Sequence, residues 1–194
     1  YEKNNHRPLI VIGHSKGAVE SFMAAFVSDE VLLKVVAKFY FVQGPFEGTP
    51  LANLAVAACQ KNELIDHWFR FCGEGIESLT SEQAQKNMTE VVAGITPLQM
   101  EVSRRKMVLV QASQDEAHVI KVFQKTHRYL DALEGENDGL VALRDQEIAG
   151  FPLRKMIFDG DHSDLMSNSL LSNASTESRH EFTRIILEDA LAAY

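Results

Sequence analysis

A serine flanked by glycines is the place in this chain where residue types and spacing first suggest chemistry. Residues 8–12 read Pro-Leu-Ile-Val-Ile, and Gly13-His14-Ser15-Lys16-Gly17 follows at once. The continuous apolar run predicts a strand buried on both faces. After the turn, Val19, Phe22, Met23, Phe26 and Val27 recur at three-and-four spacing, which predicts a helix with one apolar face. Ser15 then stands at the tip of a strand–turn–helix. Glycine is expected at both flanking positions, because side chains there would collide with the neighbouring strand and helix. A hydroxyl so placed can act as a nucleophile if a base takes its proton and an acid orients the base. The backbone N–H of Lys16, at the head of the helix, points to where an oxyanion would form.

An imidazole is the expected base, and the chain has 7 histidines. His162 follows a predicted strand over residues 154–158 and lies in Asp159-Gly160-Asp161-His162, a turn at the carboxyl edge of the sheet. That is the edge where Ser15 also sits. The other histidines are worse placed. His6 precedes the serine, and His14 is a spacer expected to turn away. His67 lies in a helical segment, His118 and His127 in a connection, and His180 in the terminal helix. Three aspartates compete to orient the base: Asp138 in an Asn137-Asp138-Gly139 turn, Asp115 shortly after a predicted strand, and Asp145.

The elements that must position these groups alternate along the chain. Strands are predicted at 8–12, 39–43, 106–112 and 154–158. Helical patterns fall at 18–28, 31–36, 54–58, from Ser81 towards Val92 with Ser81 as the expected cap, in part of 117–133, and at 175–193. Strands alternating with helices predict an α/β fold, a mostly parallel sheet flanked by helices. Length predicts one domain, 1–194. Residues 60–105 carry no strand signal and read as a helical cap or lid inserted within it. His67, Trp68, Phe69 and Phe71 make that segment richer in rings than a solvated loop requires.

Composition narrows the partners. A net charge of -8, from 27 acidic against 19 basic residues, argues against nucleic acid, whose phosphates need a basic face. No apolar run is long enough to span a bilayer. The two cysteines, Cys59 and Cys72, are too few for a disulfide framework and read as unpaired thiols, a single bridge being the alternative for an exported chain. The compartment is left open, with a cytoplasmic one favoured over export.

The Gly-His-Ser-Lys-Gly turn in its strand–turn–helix context resembles the nucleophile elbow of the α/β-hydrolase fold, and within that fold the lipase-like serine hydrolases. The resemblance implies the chain order Ser, acid, His. Asn137-Asp138-Gly139-Leu140-Val141 is similar to the segment that carries the catalytic aspartate in bacterial triacylglycerol lipases, which favours Asp138 over Asp115, with Asp145 behind them. Residues 44–52 resemble the loop after the next strand of those lipases. That implies a pocket lining near the serine, with Phe46 in it; His14 beside the serine and Trp68 in the cap segment are the other substrate-binding candidates. Residues 79–82 are similar to the lipase cap helix. The resemblance also implies a calcium candidate at Asp164, two residues after the histidine, with Asp115 or Glu116 as second ligand; no other metal or cofactor is expected.

The early strands of that fold, and the loop giving the second oxyanion donor, have no counterpart here. The chain therefore reads as the C-terminal part of a larger catalytic domain, its N-terminal half expected from elsewhere in the protein. The activity implied is hydrolysis of a carboxylic ester, lipid or other small molecule, through an acyl-Ser15 intermediate. Two alternatives stand beside it: a non-catalytic hydrolase-like module for binding or assembly, and acyl transfer to an alcohol by the same three residues.

Overall fold

A computed structural model describes residues 7–27, 31–61, 74–165 and 176–192. Its elements run β1 (Leu9–His14), α1 (Lys16–Val27), α2 (Val31–Val35), β2 (Val36–Val42), α3 (Pro50–Lys61), α4 (Glu74–Glu77), α5 (Ser81–Ala93), α6 (Pro97–Lys106), β3 (Met107–Ser113), α7 (Gln124–Glu134), a 3-10 turn (Leu143–Gln146), β4 (Arg154–Asp159) and α8 (Thr176–Leu191). The four strands form one parallel sheet in the order β1-β2-β3-β4. The expected α/β architecture is therefore observed.

Alternation along β2 and β3 explains why the sheet is covered on both faces. Successive strand residues point to opposite sides. Phe39, Phe41, Met107 and Leu109 enter one core with Phe22 and Ala25 of α1, and with Phe46 and Phe151. Tyr40, Val42, Val108 and Val110 enter a second core with Phe182, Ile186 and Ala190 of α8. The second face is also latched by charge: the Tyr40 hydroxyl donates to Asp189 Oδ2 at 2.6 Å, and Arg154 pairs with the same carboxylate. Burial and the acceptor at Asp189 together push the Tyr40 phenol well above its usual range.

Several expectations are corrected. β1 is not buried on both faces; it lies at the sheet edge among the described residues, and Ile12 is 45% exposed. Among the described residues, only Gly13 of the two flanking glycines is in steric contact. A Cβ there would lie 2.5 Å from the Gly17 carbonyl oxygen and 2.8 Å from Ala18 Cα, whereas one at Gly17 would meet nothing within 4 Å. Ser81 does not cap α5. It is the first helical residue, Thr80 occupies the cap position without a side-chain bond, and Asn53 Oδ1 of α3 accepts the Ser81 N–H at 3.0 Å. Cys59 is disulfide-bonded rather than an unpaired thiol, and Cys72 lies outside the described residues.

Within the segment expected to form a cap, the described residues are helical. Met88 is buried in the first core, and Val91, Val92, Ile95 and Met100 pack against it, so α5 and α6 contribute to the body on that face. His67, Trp68, Phe69 and Phe71 lie outside the described residues. No helix among the described residues is long and apolar enough to cross a membrane.

Candidate active site

Two parallel strands end side by side, and each ends in a residue with positive φ. Ser15 follows β1 with φ 55°, and Gln43 follows β2 with φ 50°. Neither is glycine, so each backbone is held in a region that L-residues seldom adopt. The next strand over supplies the restraint. The Ser15 N–H donates to the Val42 carbonyl at 2.9 Å, and the Gln43 N–H donates to the Val110 carbonyl at 2.8 Å. Ser15 thereby precedes α1, a 12-residue helix whose first residue is Lys16. The Lys16 backbone N–H lies outside the intrahelical ladder and at the positive end of the helix dipole. Its ammonium pairs with Glu20 one turn on, at the surface.

Asp138 and His162 come together in the interior. His162 Nδ1 lies 2.8 Å from Asp138 Oδ2; Asp138 is 0% exposed and His162 6% exposed. An ionised carboxylate only accepts, so His162 Nδ1 is the donor in this pair. The aspartate is supplied with donors on both oxygens. Oδ1 accepts from the backbone N–H groups of Leu140 at 3.0 Å and Val141 at 2.8 Å. Oδ2 also accepts from Gln43 Nε2 at 3.0 Å and Gln146 Nε2 at 3.4 Å. These bonds take the place of the water lost on burial. The Asn137-Asp138-Gly139 turn builds part of this cradle: Asn137 Oδ1 accepts the Gly139 N–H at 2.9 Å, and Gly139 has φ 96°.

The loop that carries His162 is tied down by groups the sequence reading did not assign. Asp161 is 0% exposed. Its Oδ1 accepts from the N–H of Ser163 at 2.9 Å and of Asp164 at 3.1 Å, and its Oδ2 accepts from the Ile120 N–H at 3.0 Å. The His162 N–H donates to the Asp138 carbonyl at 2.8 Å, a second link between base and acid segments. His14, expected to turn away, does the opposite. Its Nε2 donates to the His162 carbonyl at 2.9 Å, and the two rings lie 4.8 Å apart between centroids. Burial, reinforced by the His162 ring beside it, lowers the His14 pKa below the usual imidazole value. The residue before Ser15 is thus in contact with His162. No hydrogen bond joins the Ser15 hydroxyl to the imidazole in this structure; such bonds are often long before substrate is present.

The remaining candidates fall elsewhere. Asp115 is exposed, its carbonyl accepting from the N–H groups of His118 and Val119, and it does not orient His162. Asp145 faces Glu134 and Arg144 rather than His162. Asp164 Oδ2 accepts the Asp161 N–H at 2.9 Å, closing the histidine turn. Among the described residues no group of three or more His, Cys, Asp or Glu side chains is placed to hold a metal ion. Phe46, expected to line the substrate pocket, is fully buried instead and packs edge-on against Phe22 and Phe41. The loop it belongs to still reaches the acid segment, because Thr49 Oγ1 donates to the Leu140 carbonyl at 2.8 Å.

No protein-family model matches the chain, and no curated protein matches it in sequence. Solved structures do. The mature lipase of Bacillus licheniformis superposes with a TM-score of 0.61 at 17% identity, over 82% of this chain and 60% of that one. A metagenomic carboxyl esterase gives 0.63 at 21% identity, over 96% of this chain and 55% of that one. The lipase of Staphylococcus hyicus gives 0.62 at 16% identity, over 96% and 70%. The chain shares its fold with these lipases and this esterase. It spans little more than half the length of the first and second of them.

Proposed function

We propose that this chain carries the catalytic residues of a serine hydrolase acting on carboxylic esters. The observation that carries the reading is the buried Asp138–His162 pair, brought against the residue before a serine whose backbone is held at φ 55°. In this reading Ser15 Oγ attacks the ester carbonyl while His162 Nε2 takes its proton. The oxyanion forms facing the Lys16 N–H. The alcohol leaves with the proton from His162, and water, activated by the same nitrogen, releases the acid and restores Ser15. Asp138 steadies the imidazolium without itself taking the proton.

The fold shared with lipases and a carboxyl esterase supports an ester substrate over an amide or phosphate. The alternative is a hydrolase-like module that binds without turnover. Labelling with a fluorophosphonate probe separates the two. We expect the full-length protein to be labelled on Ser15, Ser15→Ala to be unlabelled, and p-nitrophenyl esters to be hydrolysed only by the former. Absence of labelling in a folded full-length protein would sink the hydrolase reading.

A further inference from the structure

Gln43 occupies a position that neither its backbone nor its side chain would choose. At φ 50° the residues that fit most readily are glycine and asparagine, not glutamine. The side chain is 0% exposed, and its amide interacts with the His14 ring, Oε1 making no full hydrogen bond there. Both features are costly. What they accompany is a bridge. Gln43 Nε2 donates to Asp138 Oδ2 at 3.0 Å and to the Asp161 carbonyl at 3.0 Å. Both partners are acceptors, so the amide can face them only with its NH2. Asp138 Oδ2 is the oxygen that receives the His162 Nδ1–H, and the Asp161 carbonyl belongs to the peptide that enters His162.

We infer that Gln43 is a positioning residue: its amide clamps the Asp138 carboxylate and the His162-bearing turn into one rigid unit. Oδ1 of Asp138 is held by the Leu140 and Val141 N–H groups whatever happens at residue 43. Oδ2 is otherwise held by Gln146, at the longer distance of 3.4 Å, and that amide also serves the Ala112 carbonyl. Without Gln43 the carboxylate rocks about its anchored oxygen and the histidine turn loses its tie to β2. The imidazole then spends less time aimed at the serine. The strained φ contributes directly, since it turns the side chain out of the β2 ladder and beneath the acid–base pair.

The inference rests on the hydrolase reading, and its test separates the two. Gln43→Asn keeps an amide and suits φ 50° better, but it is one methylene too short to bridge. Gln43→Leu keeps the bulk and removes both hydrogen bonds. For each folded variant we expect kcat on a p-nitrophenyl ester to fall about 10- to 100-fold with KM unchanged. We also expect the downfield Nδ1–H proton resonance of His162 to shift or broaden. Gln43→Glu, whose protonated carboxyl can still donate to Asp138, should recover activity towards the acid side of the pH profile and lose it as pH rises. A folded Asn or Leu variant with wild-type kcat and an unmoved resonance overturns the inference. So does loss of the fold in all three variants, which would make Gln43 a structural residue only. If the wild type is not labelled at Ser15 yet the resonance still responds, the hydrolase reading fails while the clamp on the Asp138–His162 pair stands.

Discussion

Asp138 and Asp115 show how little a side chain's chemistry means without its surroundings. Both are aspartates at the carboxyl end of the sheet, and both precede His162 in the chain. One is 0% exposed and meets the imidazole at 2.8 Å, while the other is exposed in a turn. Their substitutions should therefore diverge. Asp138→Asn removes the carboxylate that sets the His162 tautomer, and kcat should fall by about 10³- to 10⁴-fold with the fold retained. Asp115→Asn should stay within about twofold of wild type, as a surface substitution away from the site does. Equal losses in steady-state ester hydrolysis would transfer the acid's role away from Asp138. The preference for Asp138 was legible only through its resemblance to a lipase segment. The residues alone left the choice open, because local sequence does not reveal which turn folds back to the histidine.

At the scale of elements, the turn from β1 into α1 depends on unequal glycines. Gly13 is pressed against the backbone of the helix it precedes: a methyl group in place of its hydrogen would sit 2.5 Å from the Gly17 carbonyl oxygen and 2.8 Å from Ala18 Cα. Backbone atoms cannot give way as side chains do. Gly13→Ala should cost roughly 1–3 kcal/mol of stability, as overpacking does, and should displace Ser15. Among the described residues nothing lies within 4 Å of a Cβ placed at Gly17, in the first turn of α1, so Gly17→Ala should gain up to about 0.5–1 kcal/mol from the lower helix cost of alanine. Urea melts of the two variants check both signs. The expectation from the motif treated the two positions alike; the spacing of the glycines carries no information about which one faces a neighbour. Element positions were legible where periodicity was strong. The strand predicted at 39–43 begins earlier, at Val36, and ends at Val42, so Gln43 falls just outside it, where a positive φ frees its side chain for the acid.

For the whole molecule, the 3-10 turn at Leu143–Gln146 introduces a pH dependence of stability. Asp145 is 8% exposed, and burial together with the neighbouring Glu134 carboxyl pushes its pKa up to about 8, against a partial pull downward from Arg144. The folded protein therefore holds a proton that the unfolded chain releases near its ordinary value of 3.8. Between those two values the folded state binds more protons, so stability falls as pH rises through that window and the loss is complete above the folded pKa. Asp145→Asn keeps the size and removes the charge. Its thermal midpoint should exceed that of the wild type at pH 8 and should change less between pH 5 and pH 8. Parallel midpoints for the two proteins across that range would show that Asp145 is not the group responsible.

By itself the sequence determined the alternation of strands and helices, the serine at the end of the first strand and the histidine after the last. These follow from periodicity and from turn residues, which report each position's near neighbours. Only the tertiary structure decided that Phe46 packs inside, that Cys59 is bonded, that His14 turns towards His162, and that Gln43 bridges partners 95 and 118 positions away. A hydrogen bond across such a separation exists because three parallel strands end at one edge and deliver their following loops to the same few ångströms. No local pattern encodes that meeting; the packing of the sheet creates it.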